Sequence, residues 1–378
     1  MKILIVCNEY PPLPQGGIGT FTQFFARGLV ACGHTVFVAG TSETRFCDND
    51  KGVQVRYLGK RASSGPLKQR REFYDFISEI VLKNGIDIIE VPEFDGMLPF
   101  KFIHCPVVVR MHQSRTGVSF NQRKPPNPLM YFLERETLRK HRCWIGVSQF
   151  ILDHNQKIFL LKPKLARVIY NFAPVINCVV DTTIPVGFGS YVVFIGKVTV
   201  AKGALDLAKA ASIFLKKKED IKIVYIGADG YRRGESVKEL VLATIPTEFR
   251  DRVLFLGRRP HSEVIGWIKE SIAVVLPSHL EAFSMVPLEA MAVGTPVIYT
   301  KLSSGPEVIT SGEDGLLVDP HNYEEISSAV LLLANNYGFR EKVSEQGRSK
   351  VNRLFSIEKC IDESVNFYRE IINRNTYD

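Results

Sequence analysis

The chain has 378 residues, 45% hydrophobic and 23% charged, a balance that excludes extensive disorder and predicts two globular domains. Its net charge of +8 is unevenly shared: residues 1–180 hold 24 Lys/Arg against 14 Asp/Glu (+10), and residues 181–378 hold 24 against 26 (−2). No apolar run approaches the ~18 residues of a membrane span. The seven cysteines (7, 32, 47, 105, 143, 178, 360) form no CxxC pair, which predicts free thiols in a reducing cytoplasm and argues against a structural zinc site.

Met1 to Cys7 is apolar for too few residues to be a signal peptide and reads as a buried strand, Ile3–Cys7. A Gly-rich loop, Gln15-Gly16-Gly17-Ile18-Gly19-Thr20, leads to a helix over about Thr20–Ala31, with Thr20 as its candidate cap. The loop resembles a dinucleotide fingerprint but has Thr22 at the third glycine position, and the second strand ends Ala39-Gly-Thr-Ser42 without an acidic residue. NAD binding is therefore disfavoured, leaving a structural turn or a contact to a substrate phosphate or sugar. Strands follow at Thr35–Ala39, Val53–Leu58, Ile86–Val91, Val107–Met111 and Trp144–Val147. They are continuously apolar, as in parallel sheets covered on both faces.

His112 sits at the carboxyl end of Val107–Met111, and Glu93 and Asp95 lie in the loop after Val91. His112 reads either as a structural histidine or as a group aimed at a ligand. Arg135, Arg139 and Arg142 recur on a helix opened by Asn127-Pro128; Arg123, Lys124 and Lys68-Gln-Arg70-Arg71 add charge. A solvated basic face and a docking surface for anionic lipid both fit. Nucleic acid is disfavoured, because the basic residues lack interleaved aromatics.

Asn171 to Gly189 breaks the pattern and reads as a linker. A second series of strands runs Tyr191–Ile195, Ile221–Ile226, Val253–Leu256, Ala273–Leu276, Pro296–Tyr299 and Gly315–Val318. Ser356 to Asn373 is an amphipathic helix with apolar residues at 357, 361, 365, 368 and 372. The chain thus reads as two doubly wound α/β units, in which ligands bind beyond the carboxyl ends of the strands; two facing units predict an interdomain cleft.

In the second unit, Gly196-Lys197 and Lys202-Gly203 frame a strand-to-helix loop whose lysines could neutralise a diphosphate or simply be solvated. Glu281 follows the strand Ala273–Leu276, and Glu289 lies on the next helix, before Gly294-Thr-Pro296. That spacing alone is near chance among 25 glutamates. Its context is not, since Ala282, Phe283 and Ser284 lie at the helix's first turn, where amides are unpaired. Glu289 can accept from vicinal ribose hydroxyls, and Glu281 can reach the sugar side of the phosphates.

Together these residues resemble a retaining glycosyltransferase of family 4 (glycosyl transferases group 1), with the GT-B fold of two Rossmann-like domains. The resemblance rests on Tyr10-Pro-Pro with Gly16-Gly17, Gly33-His34, His112, Val147-Ser148, Asn171, Gly196 to Gly203, Gly227-Ala-Asp-Gly230, Phe255-Leu-Gly257, Pro277-Ser278 and Glu281 to Pro296. It implies an acceptor-binding domain over residues 1–180, with the helix of about 356–378 packing back on it, and a donor-binding domain over 190–355. It implies hexose transfer, with retention and without metal or cofactor, from a nucleotide sugar (a UDP-sugar such as UDP-glucose). The acceptor would be a saccharide or lipid-linked molecule of cell-envelope or exopolysaccharide synthesis. Lys202 and Lys197, with the segment Phe283, Ser284, Met285, would hold the diphosphate, Glu289 the ribose and Arg258 the base. Glu281 and His112 would contact the transferred sugar, Gly17 the phosphates, and Glu93 and Asp95 the acceptor; the catalytic set is Glu281, His112 and Lys202. Lys197 stands where the family usually has Arg, keeping charge but losing the bidentate fork. The expected setting is cytoplasmic, peripheral to the membrane's inner face. A nucleotide-sugar epimerase, a phosphorylase and a non-catalytic binding protein are the alternatives.

Overall fold

The computed structural model describes residues 1–13, 16–59, 65–122, 124–174 and 188–374. Gln15, Arg123, Cys178 and most of the expected linker (175–187) lie outside the described residues. The chain divides into two compact units, Met1–Asn171 with Ile357–Asp378, and Phe172–Ser356.

The first unit carries strands β1 (Lys2–Val6), β2 (Thr35–Ser42), β3 (Phe46–Asp50), β4 (Val53–Gly59), β5 (Ile88–Pro92), β6 (Val107–Met111), β7 (Cys143–Gly146) and β8 (Leu165–Val168). They form one sheet in the order β3-β4-β2-β1-β5-β6-β7-β8. All pairings are parallel except β3 with β4. The exception is an unexpected hairpin. Lys51 and Gly52 both have positive φ (52° and 91°), as a two-residue hairpin turn requires. Strand β3, Phe46-Cys-Asp-Asn-Asp, is mostly exposed, so it carries no apolar signal.

The first helix, Gly17–Ala31, begins three residues before the expected Thr20, with Gly16 as its cap residue. Thr20 therefore does not cap it; its hydroxyl instead donates back to Gly16 O at 3.0 Å. Gly19 permits this early start, because a Cβ there would lie 2.1 Å from Glu9 O. The helix Pro128–Lys140 is capped by the Asn127 side chain, which accepts from the Met130 amide. Arg142 lies beyond its end and donates to Lys162 O, so it does not continue the expected basic face.

The last helix, Ile357–Asn373, belongs to this unit and buries Ile361, Val365, Phe367 and Tyr368. It approaches the first helix so closely that a Cβ on Gly28 would meet Ile361 Cδ1 at 2.5 Å. A buried polar network joins it to the sheet. Arg110 on β6 donates to Glu90 on β5 at 2.9 Å and to Ser364 at 2.8 Å, and the Tyr368 hydroxyl donates to Glu90 Oε2. The Arg110 guanidinium also lies 5.2 and 5.0 Å from the ring centres of Phe21 and Phe25.

The second unit holds β9 (Ser190–Ile195), β10 (Ile221–Ile226), β13 (Val253–Gly257), β14 (Ala273–Leu276), β15 (Val297–Thr300) and β16 (Leu316–Val318). They form a wholly parallel sheet ordered β13-β10-β9-β14-β15-β16; β11 (Tyr231–Arg232) and β12 (Glu235–Ser236) make a separate short hairpin. The chain winds one way from β9 to β10 and the other way from β14 to β15. The switch point, where ligands of such sheets bind, lies beyond β9 and β14. No helix among the described residues is long and apolar enough to cross a membrane.

Candidate functional site

Two loops meet at the switch point of the second sheet. The loop after β9 turns through a short 3-10 segment, Val200–Lys202, into Gly203, whose φ of 78° opens the helix Ala204–Lys217. A Cβ on Gly203 would sit 2.0 Å from Pro277 O, so only glycine lets this turn press against the loop after β14. The His279 amide donates to Ala201 O at 2.9 Å across the same junction. The contact brings Lys202 Nζ within 2.6 Å of Glu281 Oε1. Glu281 is buried, while Lys202 keeps 39% of its side-chain exposure, enough to reach an incoming anion. Lys197 is exposed on the same loop.

The following helix, Met285–Val293, starts at Ser284, whose side chain makes no capping bond. Met285 and Val286 fall in its first turn, where amides have no partner inside the helix, and Pro287 has no N–H to satisfy. Phe283 is buried and packs edge-on against Phe355, ring centres 5.5 Å apart. Glu289 is 5% exposed, and His261 Nε2 lies 3.0 Å from its Oε1. That bond raises the His261 pKa above its ordinary value despite partial desolvation. The interaction orients one carboxylate oxygen and leaves Oε2 without a protein partner among the described residues. His261 was not read from the sequence: it opens the helix His261–Lys269, 28 residues from Glu289, and nothing local marks the pairing. Arg258, three residues earlier, is exposed.

The remaining expected residues lie in the first unit. Gly17 begins the first helix, with nothing within 4 Å of a Cβ placed on it. His112 follows β6, half-buried, with its ring edge-on to Phe21 at 5.3 Å. Desolvation, with the nearby Arg110 charge adding to it, lowers its pKa to about 3, so the ring is neutral at physiological pH.

Glu93 departs from expectation. It is 0% exposed and receives the His112 amide on Oε2 at 2.9 Å, so its carboxyl has no surface to offer an acceptor. Burial, and secondarily the neighbouring Glu134, push its pKa up to about 8. Glu134 is buried too and accepts the Arg115 and Thr116 amides at 2.8 and 3.1 Å. It thereby fixes Arg115, whose Nη2 donates to Asp95 Oδ2 at 3.2 Å. Asp95 and Arg115 line a cavity of ≈ 180 Å³ with Asn8, Glu9, Ile18, Phe94 and Met97. Asp95 thus reaches a cavity that Glu93, wholly buried, does not line.

Residues 189–350 match the family model described as glycosyl transferases group 1, and residues 15–175 match that of Glycosyltransferase Family 4. An uncharacterized glycosyltransferase of Methanocaldococcus jannaschii is 26% identical, covering 98% of this chain and 98% of its own. Sucrose-phosphate synthase from Thermosynechococcus elongatus superposes with a TM-score of 0.80 at 18% identity, over 99% of both chains. Anabaena HepE in complex with UDP gives 0.74 at 19% identity, over 98% of this chain and 100% of its own; the same protein has been crystallised with UDP-glucose. At such identities the solved structures establish the fold, which is GT-B. With each half matched by its own family model, in order along the sequence, the chain belongs to the family 4, group 1 glycosyltransferases.

Proposed function

We propose that this glycosyltransferase moves a hexose from a UDP-sugar, UDP-glucose first among candidates, to a saccharide or lipid-linked acceptor of cell-envelope or exopolysaccharide synthesis. The transfer retains anomeric configuration and uses no metal. The observation that carries the donor half is the Lys202–Glu281 pair, 2.6 Å apart at the switch point of the second sheet, on the loops that flank β9 and β14. A diphosphate there would meet Lys202, Lys197 and the amides of Met285 and Val286. The free oxygen of Glu289 suits a ribose diol, and exposed Arg258 suits the base. HepE, bound to UDP and to UDP-glucose, supports uridine. For His112 and Gly17 we propose the roles that the resemblance implies, toward the transferred sugar and the phosphates.

In the step itself, the bond from the anomeric carbon to the diphosphate oxygen breaks as the acceptor oxygen bonds to the same face. The bonding pair leaves with the diphosphate, and the acceptor's proton passes to a departing phosphate oxygen. Fixed cations and amides stabilise the charge that develops; removing one such donor typically costs ~2.7–4 kcal/mol. Glu281, already paired with Lys202, suits a positioning task better than nucleophilic attack. The cavity beside Asp95 and Arg115 is our candidate for acceptor contact. The same reading sets the reaction in the cytoplasm, where exposed Cys32 and Cys47 stay reduced.

Thermal-shift measurements with UDP, GDP and ADP and their sugars test this. A ligand at 100 times its Kd adds about 2.7 kcal/mol, and the UDP series should give the largest rise. Glu289→Ala should lose that rise while remaining folded. Radiolabelled donor should be hydrolysed slowly without acceptor; stabilisation by no nucleotide, together with no turnover of any nucleotide sugar, would overturn the reading. Release of an epimer or a sugar phosphate would mark one of the other enzyme classes.

A further inference from the structure

A second cluster of side chains in the Phe172–Ser356 unit takes no part in that proposal. Asp206 lies in the first turn of the helix Ala204–Lys217, His279 in the loop after β14, and His321 in the turn between β16 and the helix Tyr323–Asn335. One ligand atom from each falls within 4.8 Å of the others. His279 Nε2 is 2.7 Å from Asp206 Oδ2, and the two imidazole rings lie 4.7 Å apart. Asp206 is 6% exposed, His279 is intermediate and His321 is exposed.

We propose that Asp206, His279 and His321 bind one divalent transition-metal ion, Zn²⁺ being the best match, with solvent completing the coordination. Two imidazoles and one carboxylate are a borderline donor set that suits Zn²⁺; Mg²⁺ and Ca²⁺ prefer all-oxygen shells. Tetrahedral Zn²⁺ holds such ligands at about 2.0–2.2 Å. The Asp206–His279 contact must open slightly to admit an ion, and His321 must close in, which its exposure allows. The backbones that carry both histidines are anchored: the His279 amide donates to Ala201 O, and the His321 amide to Asp319 Oδ1 at 2.9 Å.

The ligands come from three separate segments, and two of them carry the proposed donor site. Asp206 is four residues after Lys202, and His279 two residues before Glu281. An ion here ties the Lys202–Gly203 turn to the Glu281 loop and to the end of β16, stabilising the geometry of the Lys202–Glu281 pair. It touches none of the groups assigned to sugar transfer, so its role is structural, and binding of the ion can be tested whether or not the donor assignment stands.

The test uses the full chain, stripped with chelator and titrated with Zn²⁺ against a chromophoric competitor, and with Co²⁺ followed by its visible absorption. The expected result is one saturable equivalent per chain, a Co²⁺ spectrum of low coordination number and a rise in Tm. Loss of an outer-shell partner alone costs metal affinity about 10–100-fold, so His321→Ala should lower it by about a hundredfold and abolish the Tm rise. His321 is exposed, so the variant should keep the parent's fold and metal-free Tm. A Cys32→Ser/Cys47→Ser variant should bind as the parent does. No saturable equivalent in the parent, or unchanged binding in His321→Ala, would overturn the proposal and leave Asp206–His279 as a hydrogen-bonded pair only. Loss of binding in the cysteine variant would do the same by placing the ion elsewhere.

Discussion

At Glu93, desolvation outweighs the hydrogen bonds its carboxyl receives. Its pKa moves from 4.5 to about 8, so the folded protein holds a proton there across the neutral range that the unfolded chain has already released. Between these values the native state binds more protons, and stability falls as pH rises. His112 and His141, lowered to about 3 and about 4 by burial, give the opposite slope between those values and 6.5. The two effects separate in a difference measurement. Glu93→Gln, which cannot ionise, should gain stability over the parent by a few kcal/mol as pH rises from about 5 to about 8. Denaturant unfolding at several pH values checks this; a difference independent of pH would show that the carboxylate is already ionised in the fold. The sequence placed Glu93 at a strand end but could not tell facing inward from facing out, because burial there depends on Glu134 and Asn155 from distant helices. Glu289 and Glu281 were legible through their strand–loop–helix context. His261 and Lys202 as their partners were not, being 28 and 79 residues away.

Among the elements, the last helix carries the clearest packing argument. Its 3.6-residue apolar period was readable, and the structure buries Ile361, Val365 and Tyr368 as that period requires. Its polar partners were hidden, since Arg110 and Ser364 are 254 residues apart. Tyr368→Phe removes the hydroxyl that Glu90 accepts deep in the unit. Leaving that buried acceptor short of a donor costs about 1–3 kcal/mol. Gly28→Leu should cost about 1–3 kcal/mol by overpacking, because Ile361 already occupies the space of a Cβ. Calorimetric Tm values for the two variants check these figures, and a neutral Gly28→Leu would mean that the helices can separate without loss. The edge strand β3 escaped sequence reading for the converse reason: its residues are largely solvated, so pairing with β4 leaves no hydrophobic pattern behind.

Over the whole molecule, charge is the feature that sequence and structure treat differently. The excess of +10 in residues 1–180 stands, yet several of its members are engaged locally. Arg139 pairs with Glu136 at 2.6 Å, Arg70 donates to Asp95 O at 2.8 Å, and Arg110 is buried with Glu90. What remains exposed supports weak, long-range attraction to an anionic surface more than a specific pocket. Association with vesicles of anionic lipid, measured by co-sedimentation, should therefore be detectable at about 0.05 M salt. It should be largely lost at about 1 M, where screening shortens to about 3 Å. Salt-resistant binding, or none at low salt, would count against the peripheral membrane setting expected from the sequence.

Two doubly wound sheets of mainly parallel strands, the last helix, and the loop-borne lysines and glutamates of the second unit follow from local pattern alone. Each rests on residues near one another in the chain: continuous apolar runs, glycines at tight turns, a cap residue followed by proline. The hairpin edge, the sealing of Glu93, the pairing of Glu289 with His261 and the Asp206–His279–His321 cluster came only with the tertiary structure. The hairpin is local but solvated, so it leaves no apolar signal; in the other three, residues remote in sequence meet, and the free energy of burying or pairing a polar group there depends on neighbours that no local window contains.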